Sequence, residues 1–156
     1  QYAELSRVDF VPLNDVNAFN LGDPLAGLGP GGIVFIQTPE PDPATIWERI
    51  PPRAQETILG NSLRLLALDT ARIARETTSQ PDLVQRMQGI VLLGVFLRVA
   101  PFVASRGLGE HALFAAVERS LRKFFGKRGE AVIQENLRAV RRGYAEVIEV
   151  EVPVHA

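Results

Sequence analysis

Two short, continuously apolar runs constrain the fold of this chain most strongly. Residues 31–39 hold the first run, bounded by glycines and Pro39, and residues 63–68 hold the second. An unbroken apolar run of this length is typical of a strand that is covered on both faces, as in a parallel sheet. The second run leads through Asp69 and Thr70 into a helical pattern, which makes half of a β-α-β unit. The sequence therefore predicts an α/β domain with a mainly parallel sheet.

Less regular patterns extend this prediction to both ends of the chain. Residues 8–13 predict a short strand. Pro12 within it has no backbone N–H to donate to a neighbouring strand, so the strand lies at a sheet edge or the proline lies near a strand end. Residues 147–154 alternate Ile or Val with Glu, which indicates a half-exposed strand or an extended arm docking on a sheet edge or on a partner. We therefore divide the chain into an α/β domain over 1–146 and a C-terminal strand or arm over 147–156.

The stretch between Pro81 and Tyr144 has helical periodicity and predicts three helices. The first, over residues 82–104, is almost wholly apolar but contains Arg98, and an arginine near the centre of a membrane span costs about 2.5–3.5 kcal/mol. A buried core helix, kinked at Pro101, is expected instead of a span. The second and third helices each have one apolar face that we expect to be buried, formed by Leu113, Val117, Leu121 and Phe124 and by Ile133, Leu137, Val140 and Tyr144.

Composition limits the chemistry that this chain can carry by itself. It has no cysteine, which excludes disulfides, cysteine-held zinc, iron–sulfur clusters and thiol nucleophiles within its 156 residues. Its two histidines, His111 and His155, have no metal-binding spacing, and surface or packing roles are expected for both. A net charge of -1 provides no overall attraction to nucleic acid or to an anionic membrane. No secretory signal pattern opens the sequence, and a cytoplasmic location is expected.

Three motifs have both a structural and a ligand-binding interpretation. Asp69 follows a buried strand, where its carboxylate could cap the next helix or hold a ribose hydroxyl. The glycines within 27–32 suggest a phosphate cradle, but they precede a strand, whereas the nucleotide-binding fingerprint follows one. Asn136 lies mid-helix, so its side chain is expected to contact a preceding loop's backbone or a bound ligand. We favour the structural interpretation of each motif.

The cationic segment, residues 118–142, is the strongest candidate for binding. Eight Lys or Arg and three Glu give it a local net charge of +5. Lys127, Arg128 and the backbone amides after Gly129 lie at a predicted helix N-terminus, where free donors and the helix dipole favour an anion. The segment is either a solvated face or a site for an anionic ligand or an acidic partner. We expect no exposed aromatic residues for stacking bases, which argues against single-stranded nucleic acid.

From about Val8 to Gly143 the sequence resembles the γ subunit, or γ domain, of the 2-oxoacid:ferredoxin oxidoreductases that act on pyruvate, 2-oxoglutarate or ketoisovalerate. The resemblance rests on the order and spacing of Gly31–Ile36, Leu68–Glu76, Ile90–Gly94 and Phe125–Gly129, with Asn136 and Gly143. It implies a three-layer, Rossmann-like α/β domain with a mainly parallel sheet and a helical C-terminal half. Such domains usually start with a glycine-rich strand-loop-helix. The chain is expected to lack this first glycine-rich βα unit and to be the later portion of the domain: a fragment, a cleaved piece or a chain completed by another segment.

The resemblance also implies a function shared among several chains. Such a γ component supports the coenzyme A-dependent oxidative decarboxylation of a 2-oxoacid, with an iron–sulfur protein as acceptor, and the isolated chain is expected to be inactive. Thiamine diphosphate, magnesium and iron–sulfur clusters are expected only on the partner α, β and ferredoxin-like subunits. Coenzyme A is associated with γ, and the residues that we assign to it are Lys127, Arg128 and Asn136. Gln88 is added because the family's usual Asn is replaced here by Gly89.

Two other functions fit parts of the sequence. A structural domain could assemble sister chains through its helical half and its C-terminal arm, with no ligand of its own. An independent nucleotide-binding enzyme is disfavoured by the missing glycine-rich turn and by the small number of histidines. The expected partners are protein chains, with a homo-oligomer as an open alternative, and neither nucleic acid nor a membrane.

Overall fold

The computed structural model of the chain describes residues 10–20, 22–100 and 109–153. The chain divides into two compact units. We call Gln1–Asp69 together with Val147–Ala156 the sheet unit, and Thr70–Glu146 the helical unit.

Among its described residues, the sheet unit is built on a four-stranded, mainly parallel sheet. In spatial order its strands are β1 (Phe10–Leu13), β2 (Ile33–Gln37), β3 (Arg64–Leu68) and β4 (Ile148–Val150). β1, β2 and β3 are parallel, and β4 runs antiparallel along β3. Since parallel neighbours need crossover connections, the chain leaves the sheet after each of the first two strands. The connection from β1 to β2 contains a 3-10 helix over Val16–Asn20, and the one from β2 to β3 contains two α-helices.

These two helices are α1 (Pro43–Arg49) and α2 (Pro52–Gly60). Asp42 caps α1, because its carboxylate accepts hydrogen bonds from the backbone N–H of Thr45 at 3.2 Å and from the Thr45 hydroxyl at 2.6 Å. The side-chain bond to Thr45 is the main reason why the pKa of Asp42 is lowered. A proline opens each helix, at a position where its missing N–H costs no helical hydrogen bond.

Both faces of β2 and β3 are buried. Val34, Ile36, Leu65 and Ala67 are 0% exposed and belong to one core cluster with Ile46 of α1, Ile50 directly after it, and Ile58 of α2. The alternate residues Ile33, Phe35 and Leu66 point to the other face and are each 2% exposed. The two continuous apolar runs are therefore strands with two covered faces, as the sequence predicts.

The edges of the described sheet also agree with the sequence. β1 lies at one edge, where Pro12 is exposed and its missing donor is tolerated. β4 confirms the C-terminal strand over residues 148–150, docked on the edge of β3, and Glu149 there accepts two hydrogen bonds from the Arg64 guanidinium at 2.9 and 2.7 Å. Residues 8, 9 and 154 of the two predicted strands lie outside the described residues. The predicted α/β class with a mainly parallel sheet is confirmed.

The helical unit confirms the prediction of a helical C-terminal half. It contains α3 (Thr70–Thr77), α4 (Val84–Val99), α5 (Glu110–Phe125) and α6 (Glu130–Glu146). A 3-10 turn over Pro81–Leu83 precedes α4, which starts two residues later than predicted. The predicted kink at Pro101 lies outside the described residues. Within the ranges that the structure describes, no helix is long and apolar enough to cross a membrane.

Two glycines allow α4 and α6 to pack at very short range. A Cβ added to Gly94 would lie closer than 3.0 Å to the backbone of Val140, and one added to Gly143 would clash with the carbonyl group of Val91. Both neighbours are backbone atoms inside helices and cannot rotate away. The crossing of α4 and α6 therefore requires glycine at both positions.

Candidate functional site

A polar cavity and an apolar groove adjoin each other in the helical unit. The polar cavity has a volume of about 330 Å³, and the apolar groove one of about 660 Å³. Arg86, Phe125 and Arg128 line both. Two guanidinium groups therefore lie on the border between the cavity and the groove.

The polar cavity combines cations, amides and one acid. Gln80, Glu135 and Asn136 line it together with the two arginines. Neither Arg86 nor Arg128 forms an ion pair with any residue in the described ranges. Glu135 accepts a hydrogen bond from the Ser79 hydroxyl at 3.2 Å. With two positive charges against one negative charge, the cavity favours an anion.

A tight turn brings Arg128 to this cavity. Gly126–Arg128 form a single 3-10 turn after α5, and α6 starts at Glu130. The residue between them, Gly129, has a φ of 101°, a backbone conformation that residues with a Cβ rarely adopt. This glycine joins the 3-10 turn to α6, so that Arg128 lies just before the α6 N-terminus.

Of the four residues that the sequence predicts for coenzyme A, the structure brings two together. Arg128 and Asn136 line the polar cavity, whereas Lys127 and Gln88 do not. Lys127 is exposed in the 3-10 turn. Gln88 is half-buried on α4 and accepts a hydrogen bond from the Thr70 hydroxyl at 3.5 Å.

Sequence reasoning missed three polar residues of the cavity. Arg86 lies in the first turn of α4, and Gln80 lies in the segment before that helix. Glu135 contributes to the sequence prediction only through the net charge of the cationic segment. The one sequence signal that could have identified Arg86 is its position, because a charged residue here directly precedes the apolar run of the helix.

Asn136 is 7% exposed, and its side chain is held within its own helix. Its Nδ2 donates a hydrogen bond to the Val132 carbonyl oxygen, one turn earlier in α6, at 2.8 Å. The expected contact with a preceding loop's backbone is therefore wrong, because a carbonyl of α6 is already within reach. The hydrogen bond fixes the Asn136 amide at the wall of the polar cavity.

Ion pairs neutralise part of the cationic segment. The Arg122 guanidinium donates to Glu118 at 2.7 Å and to Glu130 at 2.7 Å. Arg142 pairs with Glu146 at 2.6 Å and with Glu76 of α3 at 2.8 Å. Arg141 lies over the ring of Phe114, 4.5 Å from its centroid. Apart from Arg141, the cations of this segment that form no ion pair within the described ranges are Arg119, Lys123, Lys127, Arg128 and Arg138.

An acid already occupies the predicted helix N-terminus. Glu130 lies in the first turn of α6, where its charge complements the helix dipole. Hydrogen bonds from Arg122, and next from Gln134, lower the pKa of Glu130 to about 2. The anion-binding interpretation therefore rests on the arginines of the polar cavity and not on this helix end.

The apolar groove runs between α4 and α5. Leu93 of α4 and Phe124 of α5 line it, and they are 42% and 76% exposed. Leu113 and Leu121 are buried as predicted, but the prediction of a buried Phe124 is wrong, because no described element covers this end of the groove. Because Phe124 is exposed, the expectation that there are no exposed aromatic residues for stacking bases is also wrong.

The remaining motifs provide no further site among the described residues. No group of three His, Cys, Asp or Glu there could hold a metal ion. His111 is exposed on the first turn of α5, and His155 lies outside the described residues. Asp69 accepts a hydrogen bond from Gln37 Nε2 at 3.0 Å, where β2 and β3 end. Gly27 and Gly31 have φ values of 87° and 80° in the turns that precede β2, which confirms the loop-to-strand interpretation.

A family model, several related enzymes and a solved structure all match this chain. The family model described as pyruvate ferredoxin/flavodoxin oxidoreductase matches residues 1–146. The pyruvate-flavodoxin oxidoreductase of Klebsiella pneumoniae is 26% identical over 151 residues, which are 97% of this chain and 12% of that protein. The enzyme of the same name from a Nostoc species is 26% identical over 124 residues, 80% of this chain and 9% of that protein. The chain thus spans only a small part of the relatives that it matches.

A solved structure shows the same fold. The pyruvate oxidoreductase subunit PORC from Thermotoga maritima matches with a TM-score of 0.60 at 22% sequence identity. The match covers 95% of this chain and 68% of that one. The α/β arrangement described above is therefore that of a known oxidoreductase subunit.

Proposed function

The chain belongs to the pyruvate ferredoxin/flavodoxin oxidoreductase family, and we propose that it acts as the γ-type component of a 2-oxoacid oxidoreductase complex. In this role it supports the coenzyme A-dependent oxidative decarboxylation of a 2-oxoacid. The observation that carries the proposal is the family match over residues 1–146. The likeness of fold to a subunit of a pyruvate oxidoreductase supports it.

We assign the redox centres to other parts of the complex. With no cysteine in its 156 residues, the chain cannot supply thiolate ligands to an iron–sulfur cluster. We likewise assign thiamine diphosphate and magnesium to partner subunits. The contribution of this chain is then to bind and orient, which requires a site for a ligand or for a partner.

The polar cavity fits the phosphate end of coenzyme A. Arg86 and Arg128 provide guanidinium donors, which match phosphate oxygens in geometry and charge. Asn136 and Gln80 add amide groups, while Glu135 on the same wall restricts where an anion can lie. Coenzyme A, when bound, supplies the thiol that accepts the acyl group. The residues of this chain would hold its phosphates and thereby orient the thiol arm.

A second candidate function is structural assembly without a ligand. The exposed side chains of the apolar groove favour it, because an uncovered apolar surface is typical of a protein interface. The two candidates differ in one measurable respect. Replacing arginines of the polar cavity weakens coenzyme A binding if the γ-type proposal is right and leaves it unchanged if the chain only assembles other chains.

The proposal is tested by purifying the tagged chain from its native source and assaying what accompanies it. We expect other chains of a 2-oxoacid oxidoreductase to copurify and the mixture to reduce ferredoxin or flavodoxin when a 2-oxoacid and coenzyme A are added. The isolated chain is expected to show no turnover under the same conditions. Turnover by the isolated chain, or purification without any such partner, would contradict the proposal.

A further inference from the structure

We propose that the apolar groove between α4 and α5 is the docking site for an amphipathic helical segment with acidic residues, contributed by the part of the enzyme outside this chain. The inference rests on the proposed function, since it assumes a larger complex. It concerns the surface next to the polar cavity, which shares Arg86, Phe125 and Arg128 with that cavity, and a different kind of ligand. Three observations support it.

The first observation is the exposure of the groove's side chains. Leu93 and Phe124 are the two large hydrophobic residues that are exposed in the described ranges, and both line the groove. Ile90 and Leu97 of α4 continue the same wall at helical spacing. A volume of about 660 Å³ bounded mainly by apolar side chains is a groove suited to an amphipathic helix with apolar anchors at i, i+3 or i+4, and i+7.

The second observation is the sign of the charges around the groove. Arg86 and Arg128 line one part of it, and no acidic residue of the described ranges lines it. Lys123 of α5 lies at the edge of the apolar stripe, three residues after Ser120 of the groove wall, and it is exposed without an ion pair to any described residue. The nearby acids Glu118 and Glu130 are bound to Arg122. The groove is thus complementary to a segment that carries acidic residues.

The third observation concerns the source of that segment. The chain spans 12% of the Klebsiella relative, so most of such an enzyme lies outside it. The docking segment can therefore come from the same enzyme. Because Arg86 and Arg128 also line the polar cavity, the tests below use only residues outside that cavity.

The direct test is site-specific photo-crosslinking in the purified, assembled enzyme. The photo-crosslinking amino acid p-benzoylphenylalanine replaces Phe124 in one preparation and His111 in the control, since His111 is exposed on the same helix but does not line the groove. We expect crosslinks from position 124 to map to a helical segment outside this chain that has an apolar face and Asp or Glu. Crosslinks between two copies of this chain, crosslinks to lipid, or none in an intact assembly would each overturn the inference.

Affinity measurements provide the second test. Phe124→Ser is expected to weaken binding of the chain to the rest of its enzyme by roughly 10- to 100-fold, as for a central interface anchor. Lys123→Glu is expected to weaken it less and to reduce its salt dependence, while His111→Ser and Arg138→Glu leave it unchanged. Unfolding of each variant is measured in parallel, and Phe124→Ser is expected to fold normally because its ring is 76% exposed. If Phe124→Ser binds the rest of the enzyme with wild-type affinity, only the inference about the groove is overturned. If the wild-type chain binds no oxidoreductase partner, both this inference and the proposed function are overturned.

Discussion

At the scale of single residues, ion pairs decide which charges of the cationic segment are available. Arg142 is held by Glu76, which lies 66 positions away in the sequence, and by Glu146. These pairs lower the pKa of Glu76 and raise that of Arg142. A count of charges along the sequence could not show this, since it gives no information on contacts between distant residues. The cations that line the polar cavity are Arg86 and Arg128, of which the sequence predicted only the second.

The Arg122–Glu130 pair leads to a prediction about pH. Hydrogen bonds from Arg122 lower the pKa of Glu130 from 4.5 to about 2. Since the folded-state pKa is depressed, the pair stabilises the fold above about pH 4.5, and this contribution is lost as the pH falls towards 2. We expect carboxyl NMR to give a midpoint near 2 for Glu130 in the wild type and a midpoint closer to 4.5 in Arg122→Gln. An unchanged midpoint in the variant would show that Arg122 is not the cause.

At the scale of elements, continuous apolar runs identified the strands, because two-sided burial leaves little room for polar residues in β2 and β3. The same reasoning was less reliable for helices. Periodicity places Phe124 on the apolar face of α5 but cannot tell whether a neighbour covers that end of the face. Asn136 shows a similar limit: its position mid-helix was visible, but its bond to Val132 depends on the side-chain rotamer.

The α4–α6 crossing leads to a prediction about stability. Gly94→Ala and Gly143→Ala each place a methyl group against helix backbone, and we expect each to destabilise the fold by roughly 1–3 kcal/mol. Gly89→Ala is the matched control in α4, since nothing lies within 4 Å of its added Cβ. It is expected to stabilise the fold by up to about 1 kcal/mol through helix propensity.

Urea denaturation of the three variants measures these differences. A stabilising effect of Ala at positions 94 and 143, equal to that at position 89, would contradict the close crossing.

At the scale of the whole molecule, the sequence predicted the α/β class, the mainly parallel sheet, the helical C-terminal half and the family. It did not predict the polar cavity or the apolar groove. Both are formed by residues that are distant in the sequence, since Arg86 and Asn136 come from different helices. The coenzyme A site proposed for this chain therefore depends on the geometry of the cavity together with the family resemblance.

Isothermal titration calorimetry of coenzyme A with the assembled enzyme tests whether the polar cavity holds this ligand. Arg128→Glu removes a guanidinium from the polar cavity and adds a repulsive charge, while Arg138→Glu makes the same charge change at an exposed position of α6 outside the cavity. Lys127→Glu, next to the cavity, is expected to have an intermediate effect. If the polar cavity holds the phosphates, coenzyme A binds about tenfold or more weakly to Arg128→Glu and with nearly unchanged affinity to Arg138→Glu. Equal affinity in the wild type, Arg128→Glu and Arg138→Glu would contradict this site.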